Sequence, residues 1–127
     1  MAQLRLLLVD DEEELVSALA ERLALRGFEV TATTSSTEAS RWFDEERFDI
    51  VLLDVKMPGR GGLELLAEMR KKSPDIPAIL LSGCSSARDA RLGMAAGAVD
   101  YVVKPLDIEE LAAKIRHAVG ENEEMRP

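Results

Sequence analysis

Apolar residues recur along this chain in two rhythms. Leu4 to Val9, Ile50 to Leu53 and Ala78 to Leu81 are short, mostly unbroken apolar runs of the length expected for strands buried on both faces. Glu29 to Thr33 alternates polar with apolar, which suits a strand at the rim of a sheet, and Asp100 to Val103 supplies a fifth strand. Between these runs the apolar spacing is helical. Leu15, Leu19 and Leu23 lie one turn apart, with Asp11 and Glu14 at capping-box spacing before them and Gly27 closing the helix ahead of Phe28. Ser35 and Glu38 cap a second helix whose inward side is Ala39, Trp42 and Phe43. A third helix is predicted from Gly62 to Lys72, its last turn carrying two lysines before Pro74. The fourth begins at Ser86 and Asp89, carries Arg88 and Arg91, ends at Gly97-Ala98, and has so few large side chains that it should be lightly anchored. Asp107 and Glu110 cap the fifth, with a stripe of Ile108, Leu111, Ile115, Ala118 and Val119.

Five strand-helix units in strict alternation predict a single doubly wound α/β domain over residues 1–120, with a parallel sheet covered on both faces. The polar strand belongs at an edge and the two apolar strands that open at Leu4 and Ile50 belong side by side, which gives the order 2-1-3-4-5 of flavodoxin-like sheets. Residues 121–127 have no apolar period and are expected to fray or to begin a linker.

Every buried strand in that arrangement ends on a polar side chain. The first ends on Asp10 and Asp11, the third on Asp54, the fourth on Ser82 and the fifth on Lys104. After Asp54, Pro58 removes a backbone donor, and Gly59, Gly61 and Gly62 are expected to make the loop permissive in φ before the third helix. Each residue has an ordinary reading: Asp54 starts a turn, Ser82 caps a helix, Lys104 is a solvated lysine and Tyr101 a half-buried strand aromatic. Asp11 as a cap accounts for one of the first two acids and leaves Asp10 surplus.

The strand order brings Asp10, Asp11 and Asp54 into one crevice. Carboxylates about 5 Å apart repel by roughly 3 kcal/mol at an effective dielectric near 20, so a cation is needed between them. A hard divalent ion, magnesium with manganese as a substitute, suits an all-oxygen site. With Lys104 and the Ser82 hydroxyl nearby, these are the parts of a phosphoryl-transfer site in which Asp54 is the nucleophile.

Composition narrows the partners. A formal charge of -8 opposes direct binding to a nucleic-acid backbone. One cysteine, Cys84, and one histidine, His117, exclude a disulfide framework and a thiolate or imidazole zinc site. No run approaches the roughly 18 apolar residues of a membrane span, so no membrane contact and a cytoplasmic location are expected.

The set LLVDD, LLDVKMPGRGG, a serine after the fourth strand, GAVDY and VVKP, in order and at fitting distances, resembles the receiver domain of two-component response regulators over nearly all of Leu4 to Val119. The resemblance implies that Asp54 accepts a phosphoryl group from the phosphohistidine of a sensor histidine kinase or a phosphotransfer protein. It implies magnesium bound by Asp10, Asp11, Asp54 and the backbone carbonyl of Lys56, with Lys104 on the phosphoryl oxygens and Ser82 and Tyr101 switching together. It also implies a cis Lys104-Pro105 peptide, self-catalysed transfer and dephosphorylation in a domain that is not otherwise an enzyme, and a downstream protein or effector domain. A phosphorylation-dependent homodimer through the fourth helix, fifth strand and fifth helix is a further expectation. A pseudo-receiver that is never phosphorylated would lack one of the key acids or the lysine. A flavin-binding relative would need a phosphate-binding loop where this chain has DDEEE. A haloacid-dehalogenase-type phosphatase would need a second acid where this chain has Lys56.

Overall fold

Parallel pairing of strands with one another builds the centre of the molecule, a computed structural model that describes residues 3–57, 59–83 and 87–120. The elements in chain order are β1 (Arg5–Val9), α1 (Glu13–Leu25), β2 (Glu29–Thr33), α2 (Ser36–Glu45), β3 (Ile50–Asp54), α3 (Gly62–Lys72), β4 (Ala78–Ser82), α4 (Ala87–Ala95), β5 (Asp100–Val103) and α5 (Ile108–Ala118). The sheet order is β2-β1-β3-β4-β5 with every pair parallel, as the alternation predicts. Every residue of β3 and β4 is buried, whereas the edge strand β2 is wet along much of its length.

Successive side chains of a strand point to opposite faces, so the sheet divides the core in two. On one face Leu6, Leu8, Ile50, Leu52, Ile79 and Leu81 pack against α1 and α5 through Leu19, Leu23, Leu111 and Ile115. On the other, Leu7, Val51, Leu53 and Leu80 pack against α2 and α3 through Ala39, Leu65, Leu66 and Met69. Trp42 and Phe43 are half-buried against that second cluster. Burial of each such leucine is worth about 1.5–3 kcal/mol, and this closely packed scaffold holds the strand ends in place.

The helix ends show which local signals acted. Ser35 Oγ accepts the Glu38 N–H at 3.1 Å and Asp107 Oδ1 accepts the Glu110 N–H at 3.0 Å, both as expected of capping residues. Gly27, at φ 91°, lets Phe28 N–H reach Leu23 O at 3.2 Å and close α1. The start of α1 corrects the sequence reading. Its N-cap is Glu12, without a side-chain cap, and Asp11 does not fill that role. Asp10 Oδ1 accepts the Glu12 N–H at 2.9 Å, a local turn two residues long that delays the helix to Glu13 and leaves Asp11 exposed. The cap expected at Ser86, together with Pro58, Cys84 and the tail after Gly120, lies outside the described residues. No helix among the described residues is long and apolar enough to cross a membrane.

Candidate functional site

The carboxyl ends of β1, β3, β4 and β5 meet around a cleft of about 280 Å³ lined by Asp11, Glu12, Asp54, Lys56, Ser82, Gly83 and Lys104. Asp10 follows β1 directly, held by its own N–H to Thr33 O at 3.3 Å, and is fully buried. Asp54 closes β3 and is 4% exposed. Oxygen atoms of Asp10, Asp11 and Asp54 all lie within 4.8 Å of one another. The structure therefore brings the three predicted acids together.

The loop after Asp54 is shaped by close approach more than by unusual dihedrals. Gly59 has φ 78°, but Gly61 and Gly62 do not need positive φ. A Cβ on Gly62 would lie 2.2 Å from the Asp54 carbonyl oxygen, and one on Gly61 2.6 Å from that of Val55. The glycines permit α3 to start directly against the backbone that carries the acid, and Gly62 N–H donates to Val55 O at 3.0 Å. Arg60 ties the same loop to its neighbours. Its guanidinium pairs with Glu68 of α3 and donates to Ser40 Oγ at 2.6 Å and Ser36 O at 3.2 Å, both on α2. That anchor was not read from the sequence.

Lys104 follows β5 with its own N–H donating to Ser82 O at 2.7 Å, and the Lys104-Pro105 peptide is cis, as the resemblance implies. Its ammonium is 2.7 Å from Asp10 Oδ2, 2.7 Å from Glu12 Oε1 and 3.8 Å from Asp54 Oδ2. Burial alone would lower its pKa, but the bonds to Asp10 and Glu12 outweigh that and raise it, so Lys104 is a fixed positive charge. The contact with Glu12 is a second feature missed in the sequence, where the DDEEE run gives no sign that its third residue turns inward to a lysine 92 positions away.

Asp54 is pushed up to about 7, first by burial and then by the charge on Asp10, with Lys104 pulling the other way. Its proximity to Asp11 raises it further, while the Lys56 N–H, 3.4 Å from Asp54 Oδ1, favours the ionised form. A carboxyl with this much opposition to ionisation, beside two more acids, calls for added positive charge. The donors are all hard oxygens, and their spacing fits a small divalent cation such as magnesium.

Ser82 is buried at the end of β4 and lines the cleft. Tyr101 does not line it. In register with Leu80, it packs half-buried on the same face of the sheet, and a Cβ on Gly93 of α4 would lie 3.7 Å from its ring. Ser82 and Tyr101 thus share a sheet face without sharing the cleft. A larger concavity, about 590 Å³, opens near the other ends of β3 and β4 between Phe43, Phe48, Lys72 and Pro77, away from these acids.

Comparison with known proteins gives a consistent result. A family model described as "Response regulator receiver domain" matches residues 6–116. The chain is 42% identical over 117 residues to the uncharacterized transcriptional regulatory protein YkoG of Bacillus subtilis, covering 92% of this chain and 51% of that protein. It is 41% identical over 110 residues to the sensory transduction protein RegX3 of Mycobacterium tuberculosis, covering 87% and 48%. The chain thus spans about half the length of the curated relatives it matches. Among solved structures, a CheY-like receiver domain protein from Methanospirillum hungatei superposes with a TM-score of 0.89 at 29% identity, covering 98% of this chain and 100% of that one. TrrA from Thermotoga maritima, solved in complex with Mg(2+)-BeF, gives 0.82 at 37% identity over 91% and 99% of the two chains.

Proposed function

The chain belongs to the response regulator receiver domains, and from that premise we propose that Asp54 is its phosphoacceptor, fed by a sensor histidine kinase or a phosphotransfer protein. The observation that carries the proposal is the position of Asp54: buried at a strand end, within reach of two acids and 3.8 Å from a lysine ammonium. In the transfer, an oxygen of ionised Asp54 attacks phosphorus while the phosphorus–nitrogen bond of the donor breaks. Neutral imidazole departs, keeping the proton on its other ring nitrogen. No added base is needed, because the nucleophile is already an anion.

Asp10, Asp11, Asp54 and the Lys56 carbonyl would hold magnesium, which supplies positive charge to the transferring phosphoryl oxygens and favours the ionised form of Asp54. Lys104 meets another phosphoryl oxygen, and the buried Ser82 hydroxyl donates to a third. Drawing Ser82 inward frees space on the sheet face that Tyr101 shares, so that the ring moves in and the surface of α4 and β5 changes. Partners downstream are a protein or an effector domain; the curated relatives include transcriptional regulatory proteins of about twice this length. A homodimer of the phosphorylated form through α4, β5 and α5 is part of the same proposal. The reaction is self-catalysed, with slow hydrolysis of the acyl phosphate restoring Asp54.

Acetyl phosphate with magnesium should add one phosphoryl group, read by intact mass, and Asp54→Asn should take none. Labelling that persists in Asp54→Asn, or that proceeds fully after magnesium is removed with EDTA, overturns the assignment.

A further inference from the structure

Lys104 is the cation the phosphoryl group must engage, and it is already engaged. Two of its contacts are at 2.7 Å, to Asp10 Oδ2 and Glu12 Oε1, whereas Asp54 Oδ2 at 3.8 Å is beyond hydrogen-bond length. Asp10 and Glu12 differ in what else they do. Asp10 is buried, takes the Glu12 N–H with its other oxygen, and belongs to the acid cluster. Glu12 has a side chain 60% exposed and stands outside that cluster on the wall of the cleft. Its backbone is fixed on both sides: its N–H is held by Asp10, and its carbonyl accepts Val16 N–H at 3.0 Å as the first bond of α1. A carboxylate is thereby aimed across the cleft mouth at the ammonium.

We propose that Glu12 is an internal competitor for Lys104, an anionic stand-in for a phosphoryl oxygen that holds the lysine off Asp54 until a phosphoryl group displaces it. The inference rests on the phosphoacceptor reading of Asp54 and adds a residue that sets its rate. The Glu12 carboxylate is not one of the clustered acids; it acts through Lys104 and is a positioning residue. Its charge has a cost in the transferred state as well, because the displaced carboxylate remains near the new phosphoryl anion. Removing that charge while keeping the shape should therefore speed phosphorylation and tighten the binding of a phosphoryl mimic together.

The test compares wild type, Glu12→Gln and Glu12→Asp at saturating magnesium. Rates of phosphorylation by acetyl phosphate are read by quenched intact mass, and the dissociation constant for beryllofluoride is read by titration. Because an exposed ion pair contributes little, Glu12→Gln should react about two- to fivefold faster and bind beryllofluoride tighter by a similar factor. Both advantages should shrink towards unity as salt is raised, since screening weakens the Glu12–Lys104 pair in wild type alone. Glu12→Asp, with a shorter reach to the same charge, should fall between the two. Equal or slower phosphorylation of Glu12→Gln with an active wild type overturns the competitor role and leaves the acceptor reading intact, as does an advantage indifferent to salt. A wild type that takes no phosphoryl group on Asp54 overturns both.

Discussion

Asp54 carries the clearest consequence of burial at the level of one residue. With no cation bound, its folded-state pKa of about 7 lies above the ordinary carboxylate value of 3.8, so the native state holds a proton that the unfolded chain releases. The resulting stability is fully present below about pH 4 and is lost as pH rises towards 7, at up to about 1.4 kcal/mol per unit. In EDTA, wild type should therefore lose a few kcal/mol between pH 4.5 and 8, whereas Asp54→Asn, which cannot ionise, should lose much less. Urea midpoints at the two pH values measure this, and parallel losses in the two proteins would mean that Asp54 ionises without penalty. Lys56, on the cleft wall two residues on, gives a second prediction. If its side chain obstructs the approach of water to the acyl phosphate, Lys56→Ala should hydrolyse up to about fivefold faster in single-turnover decay, and equal decay would remove that side chain from the mechanism. Residue identity was legible in the sequence wherever a strand end fixed it: Asp10, Asp54, Ser82 and Lys104 stand where the apolar runs stop. Glu12 and the cap of α1 were not. Spacing alone assigned Asp11 the cap that Asp10 pre-empts by turning the chain, because a side chain's choice between two backbone donors depends on the three-dimensional turn.

For whole elements, the packing of the loop after Asp54 against α3 decides most. The sequence signals were local where they succeeded: Ser35 and Asp107 cap α2 and α5, and Gly27 closes α1, because each acts within four or five residues of itself. They failed where a contact joins distant segments. Gly61 and Gly62 looked like freedom in φ, and they are instead the absence of a Cβ at a backbone crossing. Gly62→Ala would set a methyl group 2.2 Å from the Asp54 carbonyl oxygen, a fixed atom that cannot swing aside, so α3 or the end of β3 has to shift. Such overpacking should cost about 1–3 kcal/mol or more and weaken magnesium binding by displacing Asp54. Gly83→Ala is the control, since among the described residues nothing lies within 4 Å of its added carbon and its φ is not in the left-handed region; its stability should change by about 0.5 kcal/mol or less. Chemical denaturation of both variants, with a magnesium titration, separates them. A Gly62→Ala protein as stable as Gly83→Ala would show that the loop relaxes at no cost.

Across the whole molecule, the alternation of apolar runs with helical stripes determined the topology, and the sheet order followed from which strands were greasy enough for the middle. What the pattern does not reveal is which exposed apolar residues form one surface. Five large apolar side chains among the described residues are exposed, and four of them, Leu92, Met94, Val99 and Val103, belong to α4, the loop after it and β5. This is the region whose packing on the sheet depends on Tyr101 and the small Gly93, so it is where a rearrangement near Ser82 would be felt. In the isolated chain these residues contribute little to stability, being wet already. Met94, 50% exposed, is therefore a position where folding and assembly can be separated. Met94→Glu should leave the free energy of unfolding in urea within about 0.5 kcal/mol of wild type, as expected for an exposed substitution. If the phosphorylated form pairs through this surface, beryllofluoride with magnesium should convert wild type from monomer to dimer in sedimentation velocity, and Met94→Glu should remain monomeric while binding the mimic as tightly. Pairing buries apolar area that a carboxylate would have to enter, so the variant faces a desolvation penalty. A wild type that stays monomeric at high concentration with the mimic bound, or a Met94→Glu protein that dimerises normally, removes this surface from self-association and leaves it to a different partner.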